Sequence, residues 1–401
     1  MLSTILLLLI YVAFISLGLP DGLLGAGWPS MYIALNVPLS FAGYITMIIA
    51  GGTIISSLFS SKLIYRIGTG WVTAISIFLT ALGLFGFFMS SEYWHLCLWA
   101  LPYGLGAGAI DSALNNYVAV HYRPKHMSWL HCFWGIGALS GPSIMGGILS
   151  GGLSWNYGYL TIAIVQSCLL LIIVATLPLW KKVEASSISR DPKVKDEKIV
   201  SLSIGKTLLL PGAIFAFLTL FCYCSMELTM GLWSSSYLHI NRGVTSEVAA
   251  LWGSFYFVGI TVGRFLIGFI TEKLGDRALI RIGEVLILLG IIVIIIPYGE
   301  FTPLVGLLLV GVGSGPIYPS VIHATPARFT PRYSQSVIGV EMASAYVGST
   351  FMPPLFGLIA EKVNISFFPY YILTLALLLV IVSEVLNRIP FLEVKEEPKL
   401  S

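Results

Sequence analysis

The sequence predicts an all-α integral membrane protein with twelve transmembrane helices in two pseudo-symmetric six-helix bundles. Three observations lead to this fold class: the composition, the number of apolar runs and an internal repeat. Of the 401 residues, 57% are hydrophobic and only 10% are charged, whereas charged residues make up about a quarter of a soluble domain. The lipid bilayer is therefore the expected surrounding, and nothing in the composition favours nucleic-acid binding.

Apolar runs of about 20 residues, with longer ones allowed for tilt, define the spans. Twelve are predicted, near 4–34, 41–62, 70–90, 94–120, 128–151, 155–180, 206–238, 246–270, 278–297, 302–325, 333–360 and 364–389. Most Lys and Arg residues fall in loops on the side of the N-terminus, which predicts that both termini are cytoplasmic. The expected organisation is an N-terminal six-helix bundle at 1–180, a cytoplasmic linker at 181–205, a C-terminal six-helix bundle at 206–390 and a cytoplasmic tail at 391–401.

The chain repeats itself after 207 positions, and glycines carry the repeat. The matched pairs are Gly68 with Gly275, Gly104 with Gly311, Gly106 with Gly313 and Gly108 with Gly315. Each Gly-x-Gly-x-Gly run lies inside an apolar span, so we interpret it as a helix-packing motif and not as a dinucleotide site. A parallel duplication of six spans is typical of one large transporter class, in which the substrate binds between the halves near the membrane midplane.

Acidic residues interrupt the first and fourth spans. Asp111 and Asn115 lie on one helical stripe with Gly104 and Gly108. A charged carboxylate at the bilayer centre costs about 2.5–3.5 kcal/mol, so a residue of this kind usually faces protein, water or substrate and not lipid. Asp21 and Asp111 are therefore the first candidates for a carboxylate that takes up and releases a proton.

Other polar and aromatic residues are expected to face the same central cavity. Glu227 lies next to the repeat mate of Asp21, and Tyr318 is the mate of Asp111. Aromatic rings, carboxylates and amides together suit a hydroxyl-rich ligand such as a saccharide. The predicted substrate ligands are Trp28, Asn115, Asn116, His131, Trp134, Tyr223, Glu227, Trp233, Tyr318 and Glu341. Glu284, near the end of the ninth span, is interpreted as structural.

A charged segment overlaps the end of the eighth span and continues into the loop after it, with Gly-Arg-Phe at 263–265 and a longer run at 268–277. This segment resembles the cytoplasmic loop signature of the major facilitator superfamily, and the N-terminal copy at 61–68 lacks the acidic residue. The resemblance implies the major facilitator fold. A charged cluster at a helix end can lock and release an inside gate, and the predicted gating residues are Arg264, Lys273, Asp276 and Arg277. The alternative is a solvated loop whose charges only set the topology.

Two further elements, at 19–24 and 110–118, are similar to elements of the L-fucose permease-like branch of sugar transporters. In that branch the matching acids are the proton-coupling and substrate-site carboxylates, which implies these roles for Asp21 and Asp111. In the fifth span, His131 and Trp134 stand where the branch has two carboxamides. The resemblance therefore does not fix the particular sugar.

The sequence thus predicts a secondary active transporter that imports a monosaccharide or small glycoside with protons by alternating access. One alternative is a proton-driven exporter of drugs or other small molecules, because 137–147 approaches the fifth-span glycine pattern of superfamily antiporters. Sodium coupling, through Asp111, Asn115 and backbone carbonyls, is an alternative to protons. The sequence lacks the residue patterns of an enzyme, so we expect no catalysis, no metal and no cofactor. We further expect a monomer in a bacterial plasma (inner) membrane.

Overall fold

The computed structural model describes residues 2–122, 124–187, 202, 204–296 and 301–391, and these are helical with no strand. The helices are α1 (Leu2–Gly18), α2 (Leu23–Ala34), α3 (Phe41–Ile67), α4 (Thr69–Phe88), α5 (Tyr93–His121), α6 (Pro124–Ser150), α7 (Asn156–Ser187), α8 (Ile204–Leu208), α9 (Ala213–Arg242), α10 (Ser246–Ile295), α11 (Thr302–Ile359) and α12 (Phe368–Arg388). A π-helical turn, Ala360–Asn364, and a 3-10 turn, Ile365–Phe367, join the last two helices.

The chain is a multi-pass membrane protein. Ten stretches of the described residues are long and apolar enough to cross a membrane. One of them, Ser336–Arg388, has 53 residues and holds two crossings, because about 20 residues span the hydrocarbon core. Helix α5 is outside this set, since Asp111 and its neighbouring amides lower its hydropathy, yet its 29 residues are long enough to cross. The prediction of twelve transmembrane helices is confirmed.

Several spans bend or join without a loop. The first span is broken at 19–22 into α1 and α2, whereas α10 and α11 each contain two crossings joined at a sharp bend. The bend in α10 is at Gly275, with φ 73° and ψ 162°, and the one in α11 is at Thr330, with φ 62° and ψ 154°. Gly68, the repeat mate of Gly275, has φ 83° and ψ 158°. Positive φ favours glycine, so this shared conformation accounts for the repeated residue.

The structure alters the predicted linker. Helix α7 continues through Ser187, so residues 181–187 are helical and extend the sixth span beyond the membrane boundary that we predicted. Residues 204 and 205 already belong to α8. Apart from residue 202, the rest of the predicted linker lies outside the described residues, as does the predicted tail after Phe391.

The internal repeat is visible in the helix packing. A Cβ atom on Gly104 would lie 2.2 Å from the carbonyl oxygen of Ile49, and one on Gly311 would lie 2.1 Å from that of Tyr256. Ile49 and Tyr256 are themselves 207 positions apart. Two further matched contacts, each at 2.5 Å, are Gly106 with Ser76 and Gly313 with Gly283. Only glycine allows the backbones to approach this closely, so the two bundles share one packing scheme.

The N-terminal bundle (α1–α7) and the C-terminal bundle (α9–α12) touch across the middle of the membrane and at the face opposite the termini. A Cβ atom on Gly25 would lie 2.3 Å from the carbonyl oxygen of Gly231 in α9. Nearer that face, one on Gly43 would lie 2.6 Å from Cα of Pro354 in α11. The contacts close the space between the bundles on that side and leave a group of polar side chains beneath them.

Candidate substrate and proton site at the centre of the membrane

Asp21 lies in the turn that breaks the first span. Gly22, the next residue, has φ 74°, which allows the chain to leave α1 and re-enter a helix as α2. Helix α1 packs closely on α6, because a Cβ atom on Gly18 would lie 2.2 Å from the carbonyl oxygen of Trp134. This close approach brings the Trp134 indole to Asp21, and its Nε1 donates a hydrogen bond of 2.8 Å to Oδ2 of the carboxylate.

Trp134 also contacts the C-terminal bundle. The guanidinium carbon of Arg264, in α10, lies 4.7 Å from the centre of the indole ring. The same guanidinium pairs with Oε1 of Glu227, in α9, at 3.3 Å. The Arg264 and Glu227 side chains are only 12% and 13% exposed, so the cation–π contact and the ion pair are both shielded from solvent. We call Asp21, Trp134, Arg264 and Glu227 the central polar chain; it links the two bundles.

The position of Arg264 follows from glycine packing. A Cβ atom on Gly315 would lie 2.7 Å from the backbone nitrogen of Arg264. Helix α10 is therefore in backbone contact at this level with the part of α11 before the bend at Thr330, which we call the first arm of α11. The sequence analysis grouped Arg264 with the charged loop residues. The structure corrects that grouping: Arg264 lies inside α10, separated from the bend at Gly275, and its partner is a membrane carboxylate.

Asp111 and Asn115 form a second polar group beside this chain, on α5. The Asn115 side-chain amide donates to Oδ1 of Asp111 at 2.9 Å and to its carbonyl oxygen at 3.0 Å. Both side chains are half-buried, and Asp21 lies within electrostatic reach of Asp111 and Glu227. Asp21 is thus within electrostatic reach of the other two acids, and one of those two, Glu227, pairs with the Arg264 guanidinium. Asn116 is helical, and its side chain lies outside the described residues.

Aromatic residues of the C-terminal bundle lie opposite Asp111. The rings of Tyr223 and Tyr318 are 6.4 Å apart, and the Tyr318 hydroxyl donates to Sδ of Met342 at 2.9 Å. Tyr318 and Tyr346 both lie within electrostatic reach of Asp111. The sequence analysis found Tyr223 and Tyr318 but missed Tyr346, because no repeat position or shared stripe distinguishes that residue from other mid-span tyrosines.

His131 lies one helical turn before Trp134 on α6. Its ring makes an edge contact with Phe14, with 6.0 Å between the ring centres, and it is half-buried. It also lies within electrostatic reach of Arg264. The structure therefore places His131 beside the central polar chain, as the sequence pattern predicts.

Two of the predicted substrate ligands are not part of the central site. Trp28 and Trp233 are both fully buried. The indole nitrogen of Trp28 donates to the carbonyl oxygen of Leu39, and that of Trp233 donates to the carbonyl oxygen of Pro353, each at 2.8 Å. Because their donors are used and their rings are enclosed, these tryptophans pack helices together. Sequence spacing alone put them on the same stripes as polar residues and could not show this burial.

Glu341 is also separate from the central group. It is 1% exposed, and its carboxylate lies against the Thr325 hydroxyl at 3.0 and 3.1 Å. It lines a separate cavity, of about 140 Å³, between helices α9–α12 of the C-terminal bundle. The prediction that Glu341 joins the central substrate site is therefore corrected. Glu284, which we expected to be structural, is buried and accepts from the Ser383 hydroxyl at 2.5 Å.

The predicted gating residues other than Arg264 lie at the face that carries the termini. Asp276 Oδ2 is 2.8 Å from Nδ1 of His323, and the Arg277 guanidinium lies 4.8 Å from the centre of the Phe391 ring. Lys273 is exposed. The Asp276 and Arg277 contacts are formed within the C-terminal bundle. In this conformation they hold α10 against α11 and against Phe391, which follows α12.

The described residues contain no group of three or more His, Cys, Asp or Glu side chains that could hold a metal ion. The central site therefore consists of hydrogen-bonding and aromatic groups from both bundles. An arrangement of this kind can bind a polar molecule between the bundles and can accept protons on its carboxylates.

The sequence profile of the Major Facilitator Superfamily matches residues 10–250 and again 215–399. The chain belongs to this superfamily, whose members are membrane transporters and not enzymes. Two overlapping matches to one profile agree with the internal repeat described above.

The individual relatives have low sequence identity to this chain, but the matches cover most of its length. The chain is 24% identical to bypass of stop codon protein 6 of Saccharomyces cerevisiae, over 89% of this chain and 77% of that protein. It is 22% identical to the glucose/mannose transporter GlcP of Bacillus subtilis, over 89% of this chain and 86% of that protein. Among solved structures, a D-xylose-proton symporter matches with a TM-score of 0.74 at 13% identity, covering 96% of this chain and 97% of that one. The nucleoside transporter NupG matches with a TM-score of 0.74 at 15% identity, covering 94% and 98%.

Proposed function

We propose that the protein is a proton-coupled symporter that imports a monosaccharide or small glycoside by alternating access. The observation that carries the proposal is the central polar chain, in which an acid of the N-terminal bundle is linked through Trp134 and Arg264 to Glu227 of the C-terminal bundle. A ligand or proton that alters one member changes how the two bundles hold each other.

The balance of charge favours protons as the coupling ion. Asp21, Asp111 and Glu227 lie within electrostatic reach of one another or of Arg264, the guanidinium that pairs with Glu227. One cation balances one of the three acids, and an unbalanced carboxylate at this depth is costly. Protons bound at Asp21 and Asp111 remove that cost. Sodium at Asp111 and Asn115 remains the alternative, because an amide and a carboxylate oxygen are also cation ligands.

A sugar suits the rest of the site. The Trp134 ring offers an apolar face, whereas Asn115, Glu227 and His131 offer donors and acceptors for hydroxyl groups. The naming of one relative as a glucose/mannose transporter supports the same substrate class, and so does the likeness to the L-fucose permease-like elements at 19–24 and 110–118.

The residues suggest how a proton changes the conformation. When Asp21 is charged, it accepts the Trp134 N–H and holds the indole beneath Arg264. When Asp21 is protonated, this bond loses its charge-assisted strength. The indole is then free to stack on the sugar, and Arg264 is free to leave the ring face. Loosening this contact lets the bundles part at the face opposite the termini, near which Gly43 and Pro354 now meet.

We also propose the remaining parts of the predicted organisation. The Lys and Arg distribution supports cytoplasmic termini. A monomer in a bacterial plasma (inner) membrane, with functional halves at 1–180 and 206–390, completes the proposed organisation. The exporter alternative was based on the glycine pattern at 137–147, and helix packing accounts for Gly137 and Gly141 in that pattern. A Cβ atom on either would lie 2.0 Å from a carbonyl oxygen of the first span.

The deciding experiment measures uptake of labelled monosaccharides into proteoliposomes with an inward proton gradient, for the wild type and Asp21→Asn. We expect one sugar to accumulate in the wild type. Asp21→Asn should exchange that sugar at equilibrium without accumulating it, because an amide does not release a proton.

Glu284→Gln is the matched control, since it neutralises a buried acid that lies apart from the central chain. It should accumulate sugar like the wild type. Expulsion of a lipophilic cation with no sugar movement would instead support the exporter, and accumulation driven by a sodium gradient alone would support sodium coupling.

A further inference from the structure

A second polar cavity lies in the C-terminal bundle, apart from the central site. It has a volume of about 140 Å³ and opens near the bends of α10 and α11, with Asp276, Arg277 and Arg328 around it. Glu341 lies deeper. It is eleven residues beyond the bend at Thr330, which corresponds to about 16 Å along the helix or about half the hydrocarbon core.

The number of hydrogens available for hydrogen bonds indicates whether Glu341 is charged or protonated at this site. The Thr325 Oγ1 atom lies 3.0 and 3.1 Å from the two Glu341 oxygens and 3.0 Å from the carbonyl oxygen of Val321. A threonine hydroxyl has one hydrogen. A charged Glu341 would compete with Val321 for that hydrogen. A protonated Glu341 donates its own hydrogen to Thr325, which then donates to Val321, so every donor has one acceptor.

The charged groups around the cavity are consistent with this count. Among the described residues, no Lys, Arg or His forms an ion pair with Glu341. Arg277 and Arg328 are near the mouth, where their guanidinium carbons lie 4.8 and 4.9 Å from the Phe391 ring centre. Asp276 pairs with His323. The lining residues of α9 and α12 carry no titratable side chain, although Glu284 reaches the cavity edge through Ser383.

We propose that Glu341 is a second proton-binding site, occupied by a proton in this conformation and connected to solvent at the terminus face through the cavity. On release, the proton passes from the carboxyl group to a water molecule in the cavity, and Glu341 becomes a carboxylate. This inference does not depend on the sugar or on the proton-coupling roles proposed for Asp21 and Asp111.

Glu284 is a natural control for this proposal. Its Oε1 atom lies 2.5 Å from the Ser383 hydroxyl, which is also 3.1 Å from the carbonyl oxygen of Val380. As at Glu341, one hydroxyl hydrogen lies between two acceptors, so the same argument favours a protonated Glu284. However, Ser383 lines the cavity and Glu284 does not. Glu284 is therefore expected to hold a proton without ready exchange with solvent.

The test is infrared difference spectroscopy of the full-length protein in lipid nanodiscs, with no substrate present. The C=O stretch of protonated carboxylic acids is recorded in H₂O and after transfer to D₂O. Glu341→Gln should remove a component that shifts at least tenfold faster in D₂O than the component removed by Glu284→Gln. Ala327→Trp, at the exposed rim of the cavity, should slow the shift of the Glu341 component.

Thr325→Val covers the case in which Glu341→Gln does not fold, because it keeps the shape of residue 325 and removes only the hydroxyl. It should move the same component to the higher frequency of a carboxyl group without a hydrogen-bond acceptor. An unchanged spectrum in Glu341→Gln, or in Thr325→Val, means that Glu341 is charged and overturns the proposal. A Glu341 component that shifts as slowly as that of Glu284 overturns the solvent route. Sugar uptake is not measured, so failure of the proposed symport does not affect the result.

Discussion

The N-terminal and C-terminal bundles have the same backbone packing but different chemistry. Two glycine contacts of α5, those of Gly104 with α3 and Gly106 with α4, recur at the matched residues between the first arm of α11 and α10. At matched positions that bear polar groups, the residues differ: Ser57 with Arg264, Asp111 with Tyr318, and Trp134 with Glu341. The duplication therefore preserved positions where backbones touch, and these polar positions diverged.

The difference has a functional meaning for the central site. In the N-terminal bundle, Ser57 donates to the carbonyl oxygen of Gly108 at 3.1 Å within that bundle, and its hydroxyl also hydrogen-bonds the Tyr346 hydroxyl of the other bundle; both contacts are between neutral groups. At the equivalent place, Arg264 contacts Trp134 of the other bundle and pairs with Glu227. Two identical halves would present two identical faces. Replacement of the hydroxyl by a guanidinium gives the C-terminal face a cation that the acids of the N-terminal face can attract.

The largest effect is expected for Arg264→Gln. This change leaves Glu227 buried without its partner, and breaking a buried ion pair costs about 3 kcal/mol. We expect at least a hundredfold loss of sugar accumulation, measured in proteoliposomes, and a clear fall in the thermal midpoint of the purified protein. The double variant Arg264→Gln with Glu227→Gln should recover much of the stability, because no unpaired charge remains, but not the transport.

The matched control is Ser57→Ala, the equivalent position in the other bundle. It removes two neutral hydrogen bonds, to Gly108 and with Tyr346, each worth about 1 kcal/mol, and should leave transport within about threefold of the wild type. Equal losses from Arg264→Gln and Ser57→Ala would show that the two positions still play the same role. The contrast drawn between the bundles would then be wrong.

The next largest effect tests the shared packing. Gly104→Ala and Gly311→Ala each place a methyl group about 2 Å from a backbone oxygen, and overpacking of this kind costs about 1–3 kcal/mol. We expect similar losses of stability from the two variants in thermal unfolding. Gly339→Ala is the control, since no atom lies within 4 Å of the added Cβ; its change should stay within about 1 kcal/mol. A large effect in only one bundle would contradict the repeat as a packing scheme.

A smaller effect separates two tryptophans that look alike in the sequence. Trp134→Phe keeps a ring beneath Arg264 but removes the N–H that Asp21 accepts. We expect about a tenfold loss of accumulation, which corresponds to about 1.4 kcal/mol. Trp233→Phe removes an N–H that bonds to a backbone carbonyl inside the C-terminal bundle. It should lower the thermal midpoint and leave the apparent affinity for the sugar unchanged; the reverse outcome would return Trp233 to the site.

The fold was accessible from the sequence because its causes are local or periodic. Apolar length sets the crossings, Lys and Arg positions suggest the topology, and glycine spacing shows the repeat. Asp21, Asp111 and Glu227 could be proposed from the sequence because charged groups in apolar spans are rare and costly, whereas Trp134 was proposed from the face it shares with His131 and from the fifth-span resemblance.

The errors in the site have a common physical origin. A helical stripe tells which residues share a face, but not whether that face meets a cavity or a neighbouring helix. Trp28 and Trp233 therefore resembled cavity residues although both are enclosed. Arg264 was grouped with the loop because the loop signature that the sequence resembles begins at 263, while its partner Glu227 is 37 positions away. Only the packing of α9 on α10 brings the two together.

The smallest expected effect concerns the terminus face, where the bundles differ again. Asp276 pairs with His323 in the C-terminal bundle, and the matched N-terminal residues are Thr69 and Asn116, which cannot form an ion pair. The His323 side chain is 75% exposed, and pairs of this kind contribute at most about 1 kcal/mol. If the pair only braces α10 against α11, His323→Ala should keep transport within about twofold and barely shift the thermal midpoint. A tenfold change in the uptake rate without loss of stability would instead give Asp276 a gating role, because a residue that governs opening acts on the rate of the cycle and not on the strength of the fold.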